Sequence, residues 1–340
     1  MKKTAIIGLV LAFLALSLAF FLPWQQNPRE PVAKAQEAAQ QRPLRVISTI
    51  FPGYDFARTL LGEQGDASLL LPPGAESHTY EPSPQDILAI SKADLFLYVG
   101  GESEHWVGEL LSSLGEDAPL SFAMMDHVEL VEEEYTASME RDHEGHDHGG
   151  YDRDHDHDHE EPVLDEHVWT SPKNAIQMVK DLSRALQGLM AGEEDRKAVA
   201  QREEAYLARL GKLDAAFEAV ASQGAARKLI FGDRFPFRYL ADAYHLAYDA
   251  AFPGCSEDSE PSARTLASLI KEVREEQIPV VFYIEFSNQK TVEVLAEETG
   301  AKPLLLHSCH NVSQREMDAG ATYLSLMEGN VAALREALAP

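Results

Sequence analysis

The chain has 340 residues, 45% of them hydrophobic, with a formal net charge of −27 at pH 7 and a pI of about 4.8. That length accommodates two domains of ordinary size, the apolar fraction excludes a disordered protein, and a single long apolar run excludes a polytopic membrane protein. So acidic a chain does not bind nucleic acid by neutralising phosphates; its charge suits a cation ligand and equally suits plain solubility.

Residues 1–31 read as a targeting segment. Lys2 and Lys3 precede an apolar run over 5–24, and Gln25, Gln26 and Asn27 follow it. That is the order of a secretory signal, and a run of about twenty residues is also long enough to span a bilayer. No Cys follows the run, and the nearest small-x-small sequence, Ala33-Lys34-Ala35, lies well beyond it. An uncleaved anchor is therefore expected, with cleavage as the alternative; either outcome exports the remainder to the cell surface or periplasm. In an exported chain Cys255 and Cys309 are expected to pair as a disulfide.

After a linker over 32–43, strand and helix signals alternate. Strands are expected over 44–50, 67–71, 95–99 and 124–130, and helices over 53–61, 84–93 and 105–114. A continuous helix is expected over 193–224, where Val199, Tyr206, Leu210, Leu213, Phe217 and Val220 recur on one face. A coiled-coil dimer is one reading of that seam, and a rod joining two halves of a monomer is the other. Alternation then resumes, with strands over 228–231, 246–250, 279–284 and 302–306 and helices over 237–245, 262–276, 289–299 and 321–338. Short apolar strands separated by amphipathic helices predict an α/β protein with parallel sheets. Its parts are a first lobe over 44–192, the linking helix over 193–224 and a second lobe over 225–340.

Two features suggest a metal. Six of the thirteen histidines (His143, His146, His148, His155, His157 and His159) fall within seventeen residues of the Asp- and Glu-rich stretch 132–165. Such a tract cannot bury enough surface to form a core and reads as a mobile, metal-contacting loop, a solvated low-complexity loop being the alternative. His78 and His307 each follow an expected strand, and His167 precedes an expected helix. Carboxyl-terminal strand ends are where open α/β folds hold ligands, so these three are candidates for one shared site. His310 lies three residues beyond His307.

The segments P-P-G-A-E-S-H-T-Y-E-P-S-P (72–84), D-E-H-V-W-T-S-P-K-N-A (165–175), the His/Asp loop before the latter and E-E-T-G-A-K (297–302) resemble the zinc/manganese solute-binding proteins of bacterial ABC transporters. The resemblance runs from about residue 44 to 338, and the His loop points to the zinc branch. It implies two α/β lobes joined by a rigid helix, a metal in the cleft between them, a membrane permease as partner, and His78 and His167 as first-lobe ligands. The second lobe departs from the family pattern, which has a histidine at the start of an H-D-A-F-like motif. Here F-G-D-R-F-P-F places Gly232 at that position with Asp233 beside it, and His307 stands where relatives often carry an Asp. The expected metal ligands are thus His78, His167, His307 and Asp233. Glu285 matches a family Glu near the site, and Cys309 is a weaker thiolate candidate.

A binding protein needs a closed ligand shell, whereas a zinc hydrolase needs an open position beside a general base. The sequence has no H-E-x-x-H, G-x-S-x-G or P-loop motif. The expectation is a binding protein for Zn2+, with Mn2+ second because histidines favour zinc. A hydrolase and a surface adhesin on the same fold are the alternatives.

Overall fold

The computed structural model describes residues 42–76, 80–140, 163–223, 228–256 and 260–339. The targeting segment expected over 1–31, His78 and the six clustered histidines lie outside the described residues. From Leu44 on, the described residues belong to one compact unit.

The first half runs β1 (Leu44–Ser48), α1 (Phe51–Leu61), β2 (Gly65–Leu69), α2 (Pro84–Ile90), β3 (Leu95–Tyr98), α3 (His105–Leu114), β4 (Leu120–Ala123) and a short α4 (Ala137–Glu140). Then come α5 (Pro172–Leu189) and α6 (Glu193–Gln223). The second half runs β5 (Leu229–Phe235), α7 (Arg238–Tyr244), β6 (Tyr248–Pro253), α8 (Ala263–Glu275), β7 (Val280–Tyr283), α9 (Lys290–Thr299), β8 (Lys302–Leu305), α10 (Gln314–Asp318) and α11 (Tyr323–Ala337). The strands form two four-stranded sheets, parallel throughout, in the orders β2-β1-β3-β4 and β6-β5-β7-β8. The expected α/β class and parallel sheets are what the chain adopts.

Burial explains the strand signals. Leu95, Phe96 and Leu97 of β3, like Val280, Val281 and Phe282 of β7, are covered on both sides of their sheet, so these strands read as unbroken apolar runs. The edge strand β4 differs: only Phe122 is buried, and Leu120 is 48% exposed. The strand expected over 124–130 is therefore displaced. Met124 and Met125 are buried but sit in a one-turn 3-10 helix, while the pairing with β3 is made by Leu120–Ala123.

Helix α6 spans about 47 Å at 1.5 Å per residue and packs against α5, α11 and α1. Val199, Tyr206, Leu210, Leu213, Phe217 and Val220 are all buried there, so the seam is filled from within the chain and not by a second copy. The same apolar cluster contains Val46 and Leu97 of the first sheet and Phe231 and Phe282 of the second. One core therefore runs through both halves, with α6 along it.

The chain leaving the first sheet crosses onto the second. Ser138 Oγ donates to Asp249 Oδ2 of β6 at 2.8 Å, and the Thr136 hydroxyl donates to the other Asp249 oxygen. Tyr239 Oη accepts the Val131 N–H at 3.3 Å and donates to the Asp165 carbonyl at 2.8 Å. The Asp165 N–H bonds Val131 O at 3.0 Å. The residues flanking the His/Asp-rich stretch are thus tied together directly ahead of His167.

Candidate metal centre

A small, narrow pocket lies where the carboxyl ends of both sheets face each other. Glu76 comes from the loop after β2 and His167 from the turn before α5. Arg234 lies near the end of β5, Gly254 follows β6, Glu285 follows β7 and His310 follows β8. Ligands of open parallel sheets bind outside the carboxyl ends of the strands, and here two sheets contribute such ends to one place.

His167 is buried and held by its neighbour in sequence. Asp165 Oδ1 accepts the His167 backbone N–H at 2.8 Å and stands 3.2 Å from its Nδ1. A carboxylate on Nδ1 fixes the tautomer and turns coordination chemistry to Nε2, the arrangement that commonly supports a metal-binding histidine. Burial opposes charge on the ring, but Asp165, Glu166 and Glu133 outweigh it and hold the His167 pKa above its ordinary value. The ring also needs Gly254: a Cβ there would lie 2.9 Å from the Phe235 carbonyl oxygen and 3.1 Å from His167 Cε1.

The loop after β8 is fastened on every side. Asn330 of α11, itself buried, accepts the His307 N–H at 2.8 Å and donates to the His307 carbonyl at 2.7 Å. Glu285 Oε2 accepts the Ser308 N–H at 2.7 Å, and its Oε1 accepts the Ser308 hydroxyl. Trp169 Nε1 donates to the Ser308 carbonyl at 2.8 Å, and the Trp169 ring lies 5.5 Å from that of His310. Asn311 Nδ2 donates to the Pro72 and Ala75 carbonyls at 2.7 and 2.9 Å. This last contact pins the loop that leads to His78.

Of the expected ligands, His167 lines the pocket and His78 lies outside the described residues. His307 does not line it. Its Nδ1 accepts the Cys309 N–H at 2.9 Å, which places the ring proton on Nε2, 3.5 Å from Glu316 Oε1 of α10. Cys309 has φ +63°, in the left-handed region; this turn separates a buried His307 from His310 at the pocket. His310 is thus the second-half histidine that reaches the pocket. The H-x-x-H spacing displayed both residues, and only the backbone turn between them separates the one that lines the pocket from the one that does not. Asp233 does not line the pocket either; its Oδ1 accepts the Arg234 N–H at 2.8 Å, and burial holds its carboxyl above the usual range. Position 232 is no ligand slot either, because a Cβ on Gly232 would lie 2.9 Å from the Val292 backbone, inside the packing of α9.

The expected disulfide is corrected: Cys255 and Cys309 are both free thiols in separate surroundings. The Cys255 N–H bonds Glu133 Oε1 at 3.2 Å, whereas Cys309 Sγ lies 3.7 Å from the His307 carbonyl. Burial pushes both thiol pKa values up, and for Cys255 the Glu133, Glu166 and Asp165 carboxylates add to it. Neither is poised as a thiolate ligand. Among the described residues, no group of three or more His, Cys, Asp or Glu stands ready to hold a metal ion. What the described residues bring together is two histidines, His167 and His310, on one pocket with Glu76 and Glu285.

The sequence model of the family described as ZnuA, zinc-uptake complex component A, periplasmic, matches residues 46–337. The high-affinity zinc uptake system protein ZnuA of Bacillus subtilis is 32% identical over 295 residues, covering 87% of this chain and 88% of that protein. The zinc-binding lipoprotein AdcA of Streptococcus pneumoniae is 32% identical over 339 residues, 99% of this chain but only 61% of that longer protein. Among solved structures, the Zn(II)-bound ZnuA-like domain of Streptococcus pneumoniae AdcA superposes with a TM-score of 0.70 at 27% identity, covering 88% of this chain and 100% of that domain.

Proposed function

This chain belongs to the family of component A of zinc-uptake complexes, and we propose that it captures a zinc ion outside the cytoplasm and delivers it to the membrane permease of an ABC importer. It is a transport component and not an enzyme; zinc is its cargo. The observation that carries this reading is the pairing of His167, oriented by Asp165, with His310 on one pocket between the two sheets. His78 is two residues beyond Glu76 of the pocket wall, in a loop whose preceding turn is pinned by Asn311. Three imidazole nitrogens at about 2.0–2.1 Å, completed by a carboxylate or water, would satisfy tetrahedral zinc. Nitrogen donors favour zinc over manganese. The Glu285 carboxylate braces Ser308 on the pocket wall, and His307 and Asp233 are alternatives to His310 for the second-lobe ligand.

The protein acts as a monomer in this reading, tethered or released according to the fate of residues 1–31. Calorimetric titration of the zinc-free protein tests it. One ion should bind tightly to the wild type, and His167→Ala and His310→Ala should each weaken binding more than the roughly 10–100-fold typical of a supporting residue. A wild-type protein that takes up no zinc at micromolar concentration would overturn the proposal.

A further inference from the structure

One positive charge stands in the pocket assigned to a cation. Arg234 Nη2 lies 3.2 Å from each carboxylate oxygen of Glu76, and both residues line the pocket. Their side chains are 19% and 36% exposed, so solvent screens the pair only in part. A guanidinium keeps its charge at any physiological pH, and a fixed cation beside a divalent ion works against binding.

Neither partner is loosely placed. Arg234 projects from β5, where it stands in register with Phe252 of β6, and its N–H is held by Asp233. Glu76 follows directly on Ala75, whose carbonyl Asn311 holds at 2.9 Å, and the Gly74 N–H bonds the Val312 carbonyl at 2.9 Å. The two pocket carboxylates are also used differently. Both oxygens of Glu285 are taken by Ser308, whereas both oxygens of Glu76 face Arg234.

We infer that Arg234 is the built-in counter-cation of the pocket and that it sets zinc affinity through Glu76. With no metal bound, the guanidinium neutralises the Glu76 carboxylate. When zinc arrives, the ion and Arg234 share that negative charge. The pair therefore keeps a ready competitor for the carboxylate beside the ion, which favours release to a partner over permanent retention. Arg234 is a positioning residue in this scheme and touches the cargo only through Glu76. The inference rests on the zinc-binding reading of the pocket.

The test uses opposite signs. Zinc dissociation constants by chelator competition, and dissociation rates by stopped flow into excess chelator, are measured for Arg234→Met, Glu76→Gln and the double variant. Arg234→Met leaves the carboxylate to zinc alone and should tighten binding by about tenfold, chiefly through slower release. Glu76→Gln leaves the guanidinium unneutralised and should weaken binding by about tenfold, with the double variant between them. Arg234→Lys keeps the charge and should remain within about threefold of wild type, which guards against a poorly folded Met variant. A merely structural ion pair would lower affinity in both single variants alongside their melting temperatures; that result, or no change in either, overturns the inference alone. If His167→Ala in the same assay binds zinc like the wild type, the pocket assignment fails and this inference with it.

Discussion

The indole Nε1 of Trp169 donates to the carbonyl oxygen of Ser308 at 2.8 Å, joining the turn that carries His167 to the loop that carries His310. Tyr323 of α11 continues the contact by donating from Oη to the Trp169 carbonyl at 2.7 Å. All three residues are buried, so these bonds are not exchanged with water. Trp169→Phe keeps most of the ring but strands the Ser308 carbonyl, at a cost of about 1–3 kcal/mol. Denaturant unfolding should show that loss, and zinc titration of the folded variant should show weaker binding because His310 is no longer held against the His167 turn. Unchanged affinity would mean that the bond supports the fold alone.

Gly254→Ala tests the close approach behind His167. The added methyl meets a backbone carbonyl at 2.9 Å and the imidazole at 3.1 Å, and only the ring can move. Overpacking of this kind costs about 1–3 kcal/mol. The expected outcome is a zinc affinity reduced by more than the melting temperature alone suggests. A variant with normal affinity would show that the His167 ring has room to shift without losing its ligand geometry.

The pH dependence follows from His167. Its pKa is raised because the Asp165, Glu166 and Glu133 carboxylates outweigh burial, and zinc binds only the neutral ring. Proton competition therefore begins above the ordinary value of about 6.5. Below that pH the raised pKa contributes its full stabilisation to the zinc-free protein, and this is lost as pH rises through the folded-state value. The increase in melting temperature on adding zinc should accordingly widen between about pH 6 and pH 8. An increment that stays constant across that range would contradict His167 as a ligand.

Replacing His143, His146, His148, His155, His157 and His159 with Asn separates the pocket from the His/Asp-rich stretch. A stretch with almost no apolar residues has little packing to hold its side chains in a ligand geometry, so weaker binding is expected there than in the pocket. One tight zinc ion should remain by elemental analysis after gel filtration, with weaker ions lost. Loss of the tight ion would move the principal site into that stretch.

How much of this was legible beforehand depended on burial. The doubly covered strands β3 and β7 and the seam of α6 announced themselves, because their apolar periodicity reports packing directly. Strand β4 did not: as an edge it buries only Phe122, and the neighbouring Met124 and Met125 carried the apolar signal a few residues too far. At the centre, His167 was identifiable from its place before a helix. Which of His307 and His310 lines the pocket was not, since that turns on the left-handed backbone at Cys309 and on Asn330 and Glu316, which arrive from distant sequence. Gly232 looked like a missing ligand and is instead a packing position under Val292. The cysteine pair suggested a disulfide by compartment alone, and that rule says nothing about where the two thiols come to lie.

The central claim, that zinc is held between the two sheets by His167 and His310, is tested most directly by anomalous diffraction from zinc-loaded crystals on either side of the zinc absorption edge. The expected result is one strong peak in the pocket, about 2.0–2.1 Å from a ring nitrogen of each histidine, with density for His78 reaching the same ion. A peak beside His307 and Glu316, or one confined to the histidines between 143 and 159, would contradict it.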